Sequence, residues 1–188
     1  SGLAYIVVQH LNPTLNSMLV ELLQRVTALS VREASEQMLV EANHVYVIPP
    51  NTEMSLSHGR LHLVPPAEPR GVRLPINVLF SSLAREHGAL AVGVVLSGMG
   101  SDGTLGLLAL KAVGGLTVAQ EPESAQFDSM PRSALDAGCI DIVALPEDMP
   151  GRILACVAWE GRSEPLMAGL GPKARPANEP ADPPTDTI

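Results

Sequence analysis

Two residues of this chain have the types and settings for acid–base chemistry. Asp102 lies in Ser97-Gly98-Met99-Gly100-Ser101-Asp102-Gly103, and His10 lies in Gln9-His10-Leu11-Asn12-Pro13. Each follows an apolar, strand-like run: Ala89 to Leu96 before Asp102, Leu3 to Val8 before His10. In an open α/β sheet, ligands bind outside the carboxyl ends of the strands. Both side chains are therefore expected at one crevice, far apart in sequence as they are. An imidazole needs a partner that fixes its tautomer and stabilises its protonated form. A buried carboxylate is that partner in Ser-His-Asp chemistry. Plainer roles stay open on the residues alone. Asp102 reads equally as an N-cap for a helix starting at Gly103 or Thr104, a role compatible with orienting a histidine. His10 reads as a loop histidine bonded to backbone.

A rival motif overlaps the same turn. Gly98, Gly100 and Gly103 spell GxGxxG between a strand and a helix, as in dinucleotide-binding folds, and Glu121 lies near the end of the next strand. Electrostatics weighs against it, because Asp102 would place a carboxylate inside a phosphate cradle. His58 and His62 have HxxxH spacing but flank a hairpin-like turn and lack the glutamate of a zinc helix, so no metal site is expected. His44 and His87 are isolated, and the dispersed methionines read as fillers of aliphatic gaps.

The elements that would position these groups follow an α/β rhythm. Ser17 is expected to cap a helix to about Val26, with Met18, Leu19, Leu22, Leu23 and Val26 apolar. Short strands are predicted at Leu29 to Glu33 and Val45 to Ile48. Glu53 to Leu56 and Leu61 to Val64 read as a hairpin turning at His58-Gly59. Pro65, Pro66, Pro69 and Pro75 keep the next stretch extended. Helices are predicted at Ile76 to His87, Thr104 to Val113 and Pro131 to Ala137, and a last one, capped by Asp148 with Pro150 in its first turn, runs to about Trp159; strands are predicted at Leu116 to Ala119 and Ile140 to Ala144. Gln120 to Ala134 holds a long polar segment that should border the crevice, and the helix start at Pro131 is a candidate anion or carbonyl site.

This order predicts an α/β fold: a mainly parallel, doubly wound sheet with helices on both faces and a small antiparallel hairpin insertion. Residues 1–160 form the domain. Residues 161–188 hold 6 of the 17 prolines and read as a flexible linker or tail. Aromatics are only 3%, so the core must be aliphatic. A formal charge of −8 with no basic patch argues against nucleic acid or anionic membrane as a partner. Cys139 and Cys156 form no disulfide framework, which places the chain in the cytoplasm by default. No apolar run reaches membrane-spanning length and no signal peptide is present, so no direct membrane insertion is expected. The chain opens almost directly on a strand without an initiator Met, which reads as a fragment or processed product.

Taken together, these segments resemble the catalytic domain of bacterial chemotaxis protein-glutamate methylesterases. The resemblance rests on Val8-Gln9-His10 with Pro13, His44-Val45-Tyr46-Val47-Ile48-Pro49-Pro50, Asn77-Val78-Leu79-Phe80, Gly93 through Gly106, Gln120 with Pro122, Ser124 and Ala125, and Met130-Pro131-Arg132. These occur in the family's order over roughly residues 3 to 155. The wording of Gly-Ser-Asp-Gly-Thr-Leu-Gly and Asp-Ser-Met-Pro-Arg-Ser-Ala is similar to the variant fused to a chemotaxis methyltransferase domain. The resemblance implies hydrolysis of γ-glutamyl methyl esters on the cytoplasmic helices of methylated chemoreceptors, often with glutamine deamidation. It implies a Ser-His-Asp mechanism without metal or organic cofactor. By position, His10 matches the family's histidine and Asp102 its aspartate. Met99, Gly100 and Met130 fall in the substrate or oxyanion neighbourhood.

Two departures accompany the resemblance. The family's nucleophile lies in a Gly-x-Ser-x-Gly-Gly turn upstream of the histidine segment, and that motif is absent from residues 1–188. The serine is therefore expected upstream of this chain, and a missing strand would leave a sheet edge or groove. Ser97, Ser101 and Ser129 border the crevice without sitting in a nucleophile elbow. Asn77 stands where related sequences often carry an acid, and no role attaches to it. The alternatives are a non-catalytic receptor-docking or regulatory module and, behind it, a dinucleotide-binding domain.

Overall fold

Apolar runs of β-branched residues set the framework. A computed structural model describes residues 2–9, 16–66 and 73–167. His10, and with it the histidine expected at the crevice, lies outside the described residues. Three strands, β1 (Tyr5–Val7), β2 (Ser30–Glu33) and β3 (His44–Val47), form a parallel sheet in the order β1-β3-β2. After the hairpin β4 (Glu53–Ser57) and β5 (Arg60–Val64), the strands β6 (Val92–Val95), β7 (Leu116–Gln120) and β8 (Ile142–Ala144) form a second parallel sheet in that order. Among the described residues no ladder joins β1 to β6. The α/β reading with a hairpin insertion holds.

Alternation along the strands sorts side chains to two faces. Ile6 and Val8 pack both with Tyr46 and Ile48 and with the core that contains Ala91 and Val95. On this side lie α2 (Pro75–His87), α3 (Thr104–Ala112) and α4 (Ser129–Asp136), which contribute Leu79, Leu107, Leu110 and Ala134. On the opposite face, Val45, Val47 and Val31 pack under Leu19 and Leu23 of α1 (Asn16–Val26). The core is aliphatic, as the scarcity of aromatics requires.

The hairpin turns at His58 and Gly59, both at positive φ (51° and 70°), as a two-residue I′ turn demands. Gly59 N donates to Glu86 Oε1 at 2.9 Å, fastening the turn to α2. Amides of His58 and Gly59 hold the Glu86 carboxyl below its ordinary range. His62 pairs with Gln37 and Glu36 rather than with His58.

Several predicted boundaries move. The first helix begins at Asn16, so Ser17 lies inside it rather than capping it. The fourth begins at Ser129, so Pro131 is its third residue. The last helix, α5 (Met149–Met167), runs into the stretch read as tail. The sequence reading ended it where aliphatic periodicity stops. By contacts the chain divides into Ser1–Met149 and Pro150–Ile188.

Candidate active site

The Asp102 turn follows β6, and its carboxylate does not cap the helix that comes next. Asp102 is 4% exposed. Its Oδ2 accepts the Ile76 amide at 3.0 Å, and its Oδ1 accepts the Asn77 amide at 3.0 Å and the Gly103 amide at 2.8 Å. Ile76 and Asn77 are in the first turn of α2, whose N-cap position is Leu74, a residue with no side-chain acceptor. The first amides of a helix have no intrahelical partner. Asp102 therefore supplies the cap of α2 from 26 residues away, while Gly103, the N-cap of α3, has no side chain with which to cap its own helix. This corrects the cap expected at Gly103 or Thr104. The reason is steric: with α2 and α3 packed side by side, the turn before α3 reaches the N-terminus of α2.

The capping is reciprocal. Asn77 Oδ1 accepts the Gly106 amide, in the first turn of α3, at 2.9 Å. Gly106 permits the approach, since a Cβ there would stand 2.5 Å from Phe80 Cβ and 3.2 Å from Asn77 Cα. Both helix N-termini carry partial positive charge and favour an anion between them. The arrangement thus buries a carboxylate and fixes its plane by backbone amides. Thr104 Oγ1, two positions after Asp102, is buried without a hydrogen-bond partner among the described residues.

The turn is also tied to the loop after β7. Ser97 N donates to Gln120 Oε1 at 2.8 Å, Gly98 N to Phe127 O at 2.9 Å, and Gly100 N to Ser129 Oγ at 3.0 Å. Met130 N donates to Gly98 O at 3.0 Å, so the helix start expected as an anion or carbonyl site holds the protein's own Gly98 carbonyl. Met130 is buried beneath Gly98, where a Cβ would lie 2.4 Å from Met130 Cε. These bonds occupy amides that a pyrophosphate would need, and the glycines serve close packing and a turn at Gly100 (φ 84°). The GxGxxG reading fails on this geometry.

Met99 is 74% exposed, with Leu96 and Phe127 also exposed beside it. The rim is completed by Arg132, which bonds Asp128 at 2.6 Å and Glu123 at 3.3 Å. Its hydrogen bond holds the Asp128 carboxyl below the usual range. Asp102, Met99 and Gly100 thus lie on the turn after β6, and Met130 lies at the start of α4 beside it. Sequence reasoning gave no role to Asn77, Gln120 or Ser129. The amides that their side-chain oxygens accept, those of Gly106, Ser97 and Gly100, lie between 23 and 29 residues away, and no local spacing signals such bonds.

The fold is thus of the α/β class, with a buried carboxylate held by backbone amides just beyond the end of β6. The sequence model of the CheB methylesterase family matches residues 1–153, and the chain belongs to that family. A protein-glutamate methylesterase/protein-glutamine glutaminase of Salmonella typhi is 34% identical over 165 residues, covering 82% of this chain and 47% of that protein. An uncharacterized 104.1 kDa protein of Rhodobacter capsulatus is 47% identical over 120 residues, covering 64% of this chain and 12% of that protein. The crystal structure of the Thermotoga maritima CheB methylesterase catalytic domain superposes with a TM-score of 0.75 at 25% identity, covering 82% of this chain and 84% of that one. The chain spans about half the length of the Salmonella relative.

Proposed function

We propose that this domain carries the histidine and aspartate of a protein-glutamate methylesterase that hydrolyses γ-glutamyl methyl esters, and deamidates glutamines, on the cytoplasmic helices of chemoreceptors. The observation that carries the reading is the buried Asp102 carboxylate, held in a fixed plane by the amides of Ile76, Asn77 and Gly103. The names of the relatives point to the same reaction. In this reading Asp102 accepts an N–H from the His10 imidazole and orients it. His10 takes the proton of a serine hydroxyl as that oxygen attacks the ester carbonyl, then returns it to the departing methanol. Water hydrolyses the acyl-enzyme by the same relay. The exposed Leu96, Met99 and Phe127 give a receptor helix an apolar rim beside the crevice.

The serine comes from a segment upstream of Ser1 in the parent protein. A strand laid between β1 and β6 would join the two parallel sheets into one. Crossovers between parallel strands are right-handed, which puts the helix linking such a strand to β1 on the face that carries α1. On that face Val92 and Val94 are half-buried, and Met18, Leu22 and Val26 line an exposed stripe of α1. A cytoplasmic setting and fusion to a methyltransferase belong to the same proposal. No described helix is long and apolar enough to cross a membrane.

The test is ester hydrolysis by the parent protein on methylated receptor. His10→Ala and Asp102→Asn should each lower turnover by about 10³- to 10⁴-fold with the fold intact. Near-normal turnover in either variant overturns the assignment.

A further inference from the structure

We infer that Asn77 is a positioning residue for the reaction, acting through Asp102; the inference rests on the proposed His10–Asp102 pairing. Its backbone amide donates to Asp102 Oδ1 at 3.0 Å, and its side-chain Oδ1 accepts the Gly106 amide at 2.9 Å. One residue therefore touches the carboxylate and fixes the helix that follows it. Each helix is capped from the other: the turn before α3 caps α2, and the first turn of α2 caps α3.

The geometry makes the two bonds interdependent. Gly106 occupies the third position of α3, where its amide has no partner within the helix. The site is buried, with Asn77 at 9% exposure and Gly106 also buried, so water is a poor substitute for the Asn77 oxygen. Without that oxygen the amide loses its acceptor, and α3 can slide against α2. The Asp102 turn leads directly into α3, so the slide is transmitted to the carboxylate. Asp102 then loses the alignment that sets where its remaining lone pairs point.

The choice of amide over acid has its own consequence. An aspartate at position 77 would accept the Gly106 amide as well, but would add a second negative charge within reach of Asp102. Two like charges in a poorly hydrated site raise the proton affinity of a neighbouring imidazole. Asn77 supplies the acceptor without the charge, which keeps the histidine's affinity set by Asp102 alone. The residue thereby fixes geometry and leaves the local charge at one carboxylate.

The experiment needs no serine. The imidazole of His10 is titrated by NMR in the 188-residue chain, with amide exchange at Gly106 read in parallel. Asp102→Asn is expected to lower the His10 pKa by about one unit. Asn77→Ala should accelerate exchange at Gly106 and move the His10 pKa in the same direction, by at least about half as much. Asn77→Asp should keep Gly106 protected and raise the His10 pKa. Faster Gly106 exchange with an unmoved His10 titration would reduce Asn77 to a structural role and overturn the inference. If Asn77→Ala does not fold, Asn77→Asp decides: no rise overturns the inference. An Asp102→Asn variant that leaves His10 unmoved instead sinks the proposed pairing itself.

Discussion

Asp102 and Asp141 sit at opposite ends of the β6-β7-β8 sheet, and each fastens distant segments, but by different means. Asp102 follows β6 and is bound by backbone amides of two segments. Asp141 precedes β8. Its Oδ1 accepts Lys111 Nζ at 2.8 Å, and its Oδ2 accepts Thr117 Oγ1 at 2.7 Å and the Thr117 amide at 3.0 Å. The Asp141 side chain is 37% exposed, whereas Asp102 is buried. Lys111 is a flexible, hydrated cation whose attraction is screened. Helix-terminal amides are fixed by the fold and cost nothing to orient. The difference teaches that one carboxylate staples strands through an exposed, flexible cation, while the other is buried and held rigid by fixed backbone amides.

Truncation separates the two most strongly. Asp102→Ala leaves buried amides of Ile76 and Asn77 without an acceptor and should cost about 3 kcal/mol. Asp141→Ala loses a half-exposed ion pair and hydroxyl bond and should cost about 1 kcal/mol. Urea unfolding of the 188-residue chain measures both. Equal losses would mean that burial is not what distinguishes them.

A smaller effect isolates the helix contact behind Asp102. Gly106→Ala sets a methyl against Phe80 and the backbone of Asn77, and should cost about 2 kcal/mol. Gly98→Ala meets only the movable tip of Met130 and should cost about half as much. Thermal melts of the two variants check the order. The Gly106 variant should also loosen amide protection at Ile76 while leaving Thr117 protected.

The smallest effect is pH dependence at Asp141. Burial pushes this carboxyl up, but hydrogen bonds from Lys111 and Thr117 outweigh it and hold the group below its ordinary value. A depressed folded pKa gives stability that is present above the unfolded value. It is lost as pH falls through the folded value, so the loss sets in below about pH 4. Asp141→Asn should therefore flatten part of the acid limb in denaturant midpoints taken between about pH 6 and pH 3. Glu86 and Asp128 titrate in the same direction, so a residual slope must remain. A variant with the wild-type slope would show that Asp141 is not among its sources.

The strands, the hairpin turn and most helices were legible because their signals are local. Val45 to Ile48 alternates between two cores, His58-Gly59 fits a two-residue turn, and Gly88 (φ 54°) ends α2. Boundaries that moved lacked such signals: Ser17 was one of two adjacent polar residues with Asn16, and residues beyond Trp159 carry no apolar stripe. The crevice was legible in outline, since β6 and its loop lie where the strand ends predict. The direction in which Asp102 points was not. Capping rules read a carboxylate against the next few residues, and this one caps a helix that precedes it by 26 residues.

The sequence by itself determined the α/β order, the aliphatic core, the family, and the placement of Asp102 on a glycine turn after a strand. It did so because periodicity, turn chemistry and motif order are properties of neighbouring residues. Only the tertiary structure decided that Asp102 and Asn77 cap each other's helices, that the GxGxxG amides are bonded to the loop after β7, and that β1 and β6 belong to separate three-stranded sheets. The reciprocal capping depends on how closely α2 and α3 approach. That approach is set by the missing Cβ of Gly106 against Phe80, a contact between residues 26 positions apart that no local pattern encodes.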